Sequence, residues 1–294
     1  MYPIIPLFIT YLVLKLIYYF NNPEVQVRYK EFYTPEEVKM VYQYTHTINQ
    51  PKFENLNNLS TKNTKNKIKQ FDDIQNIVFI NLDERTDRKD QTLQEWSKFN
   101  RTPKRIQAVK FTPGSLGCSL SHIKALEYAK EKRWDNVLIC EDDILFNDAS
   151  NAKKQIDCFL RRHDDWDVLL LTAHIKSAEY IDSCSARVYD CWCTTAYLVR
   201  QEYYDILLHN FKYGARLLFS KNYTPVDVFW KSLQERDRWY VILPIIALQR
   251  AGSSDIHKAT CDSRDVTIQS YLQNIRNYPE NEQKKNDQMF SNHK

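Results

Sequence analysis

The chain has 294 residues, with 41 basic and 37 acidic side chains and a formal net charge of +4. That length holds one large core or two modest ones, and the basic residues are scattered, which excludes the clustered footprint of a nucleic-acid-binding surface. Only four glycines occur, Gly114, Gly117, Gly214 and Gly252, so neither a dinucleotide-binding fingerprint nor a Walker loop can be written here, and any nucleotide must be held by side chains and a metal.

Tyr2 to Phe20 is apolar except at Pro3, Pro6, Thr10 and Lys15, and its helical length of about 28 Å approaches a bilayer's hydrocarbon thickness. This predicts a single-pass membrane anchor over residues 1–22; an amphipathic or core-packed segment is the alternative. Arg28 and Lys30 follow it and no basic side chain precedes it, which would leave the next domain in the cytosol. A cytoplasmic protein without the anchor, or one placed in a viral or host secretory compartment, are the other localisations considered. Thr34-Pro35-Glu36-Glu37 marks a helix start that runs to about Tyr44. From Asn49 to Lys69 the composition turns to Asn, Lys, Thr and Ser, so residues 23–70 read as a helix plus a polar linker.

From near Asp72 strand-like and helix-like segments alternate. A strand is expected at 77–80 and a helix at 88–99 with Leu93, Trp96 and Phe99 on one side. A strand at 105–109 and a helix at 119–132 with Leu120, Ile123, Leu126 and Ala129 inward come next. Then follow a strand at 137–140, a helix at 150–162, strands at 167–172 and 194–199, and a helix at 201–211. Such alternation predicts one α/β domain over residues 71–262 with a mostly parallel central sheet flanked by helices, and residues 263–294 read as a polar tail. The seven cysteines show no repeated C-x-x-C pair, so they read mostly as reduced, buried thiols, with a local bridge among Cys184, Cys191 and Cys193 left open.

Within that domain an apolar run, Val137 to Cys140, carries straight into Glu141, Asp142 and Asp143. Neighbouring carboxylates repel one another and resist desolvation, so a cation or guanidinium must compensate them. In an extended chain Glu141 and Asp143 point one way and Asp142 the other. Oxygen donors so placed suit magnesium or manganese; a solvated charged turn is the plain alternative. Asn81-Leu82-Asp83 also ends a strand, where ligands of such sheets gather.

Six segments in order carry a resemblance. They are Ile80-Asn81-Leu82-Asp83-x-Arg85-x-x-Arg88, Gly117-Cys118-x-x-Ser121-His122, Glu141-Asp142-Asp143, Thr195 to Val199, Pro225-Val226-Asp227, and Pro244 to Gln249 closing with Ser254-Asp255-Ile256. Together, over residues 76–257, they resemble glycosyltransferase family 25, which includes bacterial lipooligosaccharide and animal procollagen galactosyltransferases. The resemblance implies a GT-A-like fold, a UDP-sugar donor, commonly UDP-galactose, and Mn2+ (or Mg2+) at the acidic motif. On it, Asp143 is the direct metal ligand, Glu141 supports the metal or the donor ribose, and His257, with Asp255, completes the metal site. Asp142 faces the sugar or closes a turn.

Asn81, Asp83, Arg85 and Arg88 are then expected at the donor, since guanidinium groups match phosphate geometry. His122 either bonds the donor or orients the acidic loop. Inversion needs a base near the acceptor hydroxyl, and Asp227, alone among apolar neighbours, is the choice; a helix cap is its other reading. Trp192, Trp230 and Trp239 are stacking surfaces or core. The implied partners are the UDP-sugar and a glycan, lipid-linked glycan or glycoprotein acceptor. Two other classes compete: a glycan-binding or assembly protein that keeps the fold without turnover, and a metal-dependent phosphoesterase.

Overall fold

The computed structural model describes residues 34–45, 68–219, 225–254, 259–281 and 284. The expected membrane anchor and almost all of the polar linker lie outside these residues. Among the described residues no helix is long and apolar enough to cross a membrane.

Helix α1 (Pro35–Thr45) starts at the expected cap: the Thr34 hydroxyl accepts the Glu37 N–H at 3.2 Å, and the Glu37 carboxylate accepts the Thr34 N–H at 2.7 Å. Strand β1 (Ile77–Asn81) is buried along its whole length and lies parallel between β2 (Lys104–Gln107) and β3 (Asn136–Glu141). Near-continuous apolar runs are what strands covered on both faces require. Helices α2 (Thr86–Ser97) and α3 (Gly114–Glu131) connect these strands; β4 (Ile144–Phe146) and α4 (Ala149–Arg162) follow. The Asp148 carboxylate caps α4 by accepting the Ser150 and Asn151 N–H groups.

The second half of the chain supplies β5 (Val168–Leu170), β6 (His174–Asp182), β7 (Ser185–Trp192) and β8 (Ala196–Arg200). Next come α5 (Tyr204–Phe219), the single turns α6 (Val226–Phe229) and α7 (Lys231–Gln234), and β9 (Trp239–Ile242). The chain closes with β10 (Ala247–Gln249), β11 (Gly252–Ser254), β12 (Ala259–Cys261), α8 (Arg264–Gln273) and β13 (Ile275–Arg276). Nine strands form one sheet in the order β13-β6-β7-β9-β5-β8-β3-β1-β2. The expected α/β architecture is present, with helices packed on a central sheet. Parallel pairs join β1 to β2 and β3, β5 to β9, and β13 to β6, while β8 and β7 run antiparallel to their neighbours.

Side chains alternate across β1: Val78 and Ile80 join the core under α3 and α5, whereas Ile77 and Phe79 join the core with Trp96 of α2 and Phe159 of α4. Leu120, Ile123, Leu126 and Ala129 are fully buried, as their spacing predicts.

Three expectations need correction. Helix α3 begins at Gly114, five residues before the expected start at 119, because Gly117 lets its first turns lie against the preceding loop; a Cβ there would meet the Val109 carbonyl oxygen at 2.6 Å and the Phe111 nitrogen at 3.1 Å. Residues 174–192, without an expected element, form a long hairpin. The tail assigned to 263–294 contains α8 and β13; α8 buries Thr267, Ser270 and Tyr271 against β6, and the Ser270 hydroxyl accepts the Ile175 N–H at 3.0 Å. The packed unit therefore continues past residue 262. Gly117→Ala is expected to cost about 1–3 kcal/mol by forcing α3 off this loop, measurable by urea unfolding; unchanged stability would show that the loop yields.

Candidate active site

The C-terminal ends of β1 and β3, the start of α3, the turn between β7 and β8, α6, β10 and the start of α8 surround a cleft of about 970 Å³. All three acids of the motif line it. Strand β3 ends at Glu141, so strand alternation stops there, and Asp142 does not turn to the opposite face as expected. Instead its carboxylate accepts the Asn81 side-chain N–H at 2.7 Å and Arg88 Nη1 at 3.1 Å. Arg105 holds Asn81 in turn, donating to its Oδ1 at 2.8 Å and to its carbonyl at 2.9 Å.

Asp143 is 5% exposed. Its Oδ2 accepts Gln249 Nε2 at 3.0 Å and faces Arg88 Nη1 at 3.5 Å, and its carbonyl accepts the Arg250 N–H at 2.6 Å. Gln249 and Arg250 reach it because β10 pairs antiparallel with β4, opposing Gln249 to Ile144. The other oxygen, Oδ1, is buried without a hydrogen-bond partner among the described residues. Burial, together with the charge on Glu141, pushes the Asp143 carboxyl up to about 7 against the opposing Arg88 guanidinium. Burial also raises Asp142 despite Asn81 and Arg88. Glu141 goes the other way: burial resists its ionisation, but His122 and Thr194 hold its carboxyl below the ordinary value. An orphaned carboxylate oxygen beside two more carboxylates is a donor set that fits a hard divalent cation.

His122 is fully buried on α3, in its third turn rather than the first turn expected from the later start. Its Nδ1 meets the Tyr197 hydroxyl at 3.0 Å and its Nε2 meets Glu141 Oε1 at 3.3 Å, so it braces the acidic motif from behind. The Thr194 hydroxyl donates to the same Glu141 oxygen. Cys118 lines the cleft one helical turn before His122, and Cys118, His122 and Glu141 each bring a potential ligand atom within 4.8 Å of the others. Burial and the Glu141 charge keep the Cys118 thiol protonated, far above the ordinary thiol range.

Asp227, on α6, also lines the cleft, close enough to feel the Glu141 charge, and its Oδ2 accepts the Cys193 N–H at 3.1 Å. Burial raises its carboxyl above the ordinary range, and the Cys193 N–H only partly offsets this. Cys193 carries a φ of 94°, left-handed backbone that is uncommon outside glycine. That bend is followed by Thr194 against Glu141, while the Cys193 N–H meets Asp227, so two successive residues tie both carboxylates to one turn.

The other expected residues divide. Arg88 and Asn81 line the cleft; Asp83 and Arg85 do not. Asp83 is exposed and pairs with Arg105 at 2.6 Å and with Gln107, and Arg85 pairs with Asp87 at 3.3 Å. Trp192 lines the cleft, but Trp230 and Trp239 are fully buried core, stacked edge to face with centroids 5.1 Å apart. Asp255 and His257 lie outside the described residues. Arg105, Gln249, Thr194 and Cys193 were not singled out for site roles, because each reaches the acids only through the fold; Gln249 alone carried a signal, as the end of the sixth matching segment.

Residues 89–230 match the family model described as glycosyltransferase family 25 (LPS biosynthesis protein). A protein of Haemophilus influenzae named "Putative glycosyltransferase" is 37% identical over 79 residues, 27% of this chain and 27% of that protein. The chain therefore spans about a quarter of that relative's length. Among solved structures, a protein from STIV overlaps with a TM-score of 0.36 at 13% identity, covering 63% of this chain and 92% of that one. A glycosyltransferase involved in the glycosylation of the major capsid of PBCV-1 overlaps with a TM-score of 0.32 at 12% identity, covering 62% and 95%. Both overlaps are loose.

Proposed function

We propose that this protein moves a hexose, galactose in the first instance, from a UDP-sugar to a hydroxyl of a glycan, lipid-linked glycan or protein, with inversion; the match of residues 89–230 to the glycosyltransferase family 25 model supports this reading. The observation that carries the reading is the convergence of Glu141, Asp142, Asp143 and Asp227 on one cleft, with one Asp143 oxygen buried and without a hydrogen-bond partner among the described residues.

In this reading Asp143 and Glu141 hold Mn2+ or Mg2+, with His257 as a further ligand. Bound there, the ion supplies Lewis-acid neutralisation of the diphosphate. Asp142 stays fixed by Asn81 and Arg88 and faces the donor sugar, while Arg88 adds positive charge on the phosphate side. His122 and Thr194 keep Glu141 ionised and in place. Asp227 takes the proton of the acceptor hydroxyl. The catalytic unit runs from about residue 71 through α8, and membrane association rests on residues 1–22 alone.

The test is UDP release from UDP-galactose and UDP-glucose with manganese, against a panel of free glycans, lipid-linked glycans and hydroxylysine peptides. Acceptor-dependent release with an inverted anomeric product is expected. No acceptor-dependent release with any donor from folded, manganese-supplied protein would remove the reading.

A further inference from the structure

Beside the oxygen cluster at Asp143, the cleft holds a group with different ligand chemistry. Cys118 and His122 sit one turn apart on α3, and Glu141 meets them from the end of β3. A sulfur, an imidazole nitrogen and a carboxylate oxygen thus lie within 4.8 Å of one another. We propose that Cys118, His122 and Glu141 form a binding site for a borderline divalent cation of the zinc class, distinct in donor set from the oxygen site at Asp143.

Four features support the assignment. Thiolate, imidazole and carboxylate are the ligands that zinc selects, whereas magnesium and manganese favour oxygen alone. Ligands of a tetrahedral zinc lie roughly 3.5 Å apart, given bonds of about 2.0–2.3 Å, and His122 Nε2 is already 3.3 Å from Glu141 Oε1. The imidazole is braced as a ligand histidine is, its remote nitrogen held by the Tyr197 hydroxyl at 3.0 Å so that Nε2 is the one presented. Finally, Cys118 and Glu141 both line the cleft, so an ion can enter, and three protein ligands leave a fourth position for water.

On binding, the Cys118 thiol loses its proton to solvent and the cation takes its place. The sulfur-nitrogen-oxygen set and the oxygen set then share Glu141, and it cannot serve both fully. A zinc-class ion therefore competes with the manganese-type ion and inhibits transfer. That consequence rests on the transferase reading; the site itself does not.

The full chain is titrated with cobalt(II), which reports a thiolate ligand by a charge-transfer band in the near ultraviolet and tetrahedral geometry by visible bands. Zinc affinity is measured in parallel by competition with a chromophoric chelator. The band is expected in the wild type, in Asp143→Asn and in Cys193→Ser. It should vanish in Cys118→Ser, where zinc affinity falls at least about 10-fold. Cys118→Ala is a second variant should the serine protein misfold, and near-ultraviolet circular dichroism checks both. No band in the wild type, a band that survives loss of Cys118, or one lost with Cys193 or Asp143 instead, would overturn the site. Failure of the transfer assay leaves the cobalt result untouched, so the two readings fail separately.

Discussion

Asp227→Asn is expected to lower kcat by about 10²–10⁴-fold, the range that removal of a general base spans, while UDP-sugar binding is unchanged. The carboxylate is half-buried in the cleft that holds the acidic motif and is tied to the backbone by the Cys193 N–H. Asparagine keeps the shape and that hydrogen bond, so a fall in kcat reports lost proton transfer rather than lost structure. Burial raises the Asp227 carboxyl, and the base must be ionised to work. Activity should therefore rise with pH through a value above the ordinary carboxylate range, and this acid limb should disappear in the variant. Initial rates across pH, with donor affinity measured separately, check both points; an unchanged kcat would return Asp227 to the role of a helix-start acid.

The second large effect is expected at Asp143. Asp143→Asn should abolish metal-dependent turnover and weaken manganese binding by more than the roughly 10–100-fold that loss of an outer-shell partner costs. The same change should raise the melting temperature of the metal-free protein. Asp143 is buried beside two other carboxylates, with one oxygen unpaired among the described residues, an arrangement that costs stability for the sake of a ligand. Asparagine removes the charge and keeps the acceptor for Gln249. Thermal melts with and without manganese read the outcome: the variant should start higher and gain nothing from the ion. A lower melting temperature, with manganese stabilisation retained, would make Asp143 a structural partner of Arg88.

What could be read in the sequence follows from how each element is buried. Strands β1 and β3 were legible because both faces are covered and Ile77–Ile80 and Val137–Cys140 are unbroken apolar runs that lead to polar ends at the cleft. Helix α4 was expected over 150–162, and its buried Ala152, Ile156, Phe159 and Leu160 explain why. The β6–β7 hairpin was not, since much of it faces solvent and its register shifts break strict alternation. Helix α8 was hidden because its buried face is Thr267, Ser270 and Tyr271, polar groups that carry no apolar stripe. Gly117 looks like a loop residue by propensity, yet it lies in the first turn of α3, where only a residue without a Cβ can approach the Val109 backbone so closely.

The site divides in the same way. Local clustering revealed Glu141, Asp142 and Asp143, and isolation among apolar residues pointed to Asp227. Asn81 and Arg88 reach the cleft, whereas the nearby Asp83 and Arg85 are engaged with Arg105 and Asp87 outside its lining. Cys118, Thr194 and Gln249 join the acids only through helix phase, a left-handed bend at Cys193 and the β4–β10 ribbon. Cys118 and Gln249 fall in matching segments, but these contacts come from the fold and not from the segments' spacing.

The most direct measurement is calorimetric titration of the full chain with UDP-galactose and with UDP-glucose, each with and without manganese. The account predicts that one sugar nucleotide binds, that binding requires the ion, and that Asp143→Asn abolishes it. A folded protein that binds neither nucleotide, or binds equally well without the ion, would contradict it.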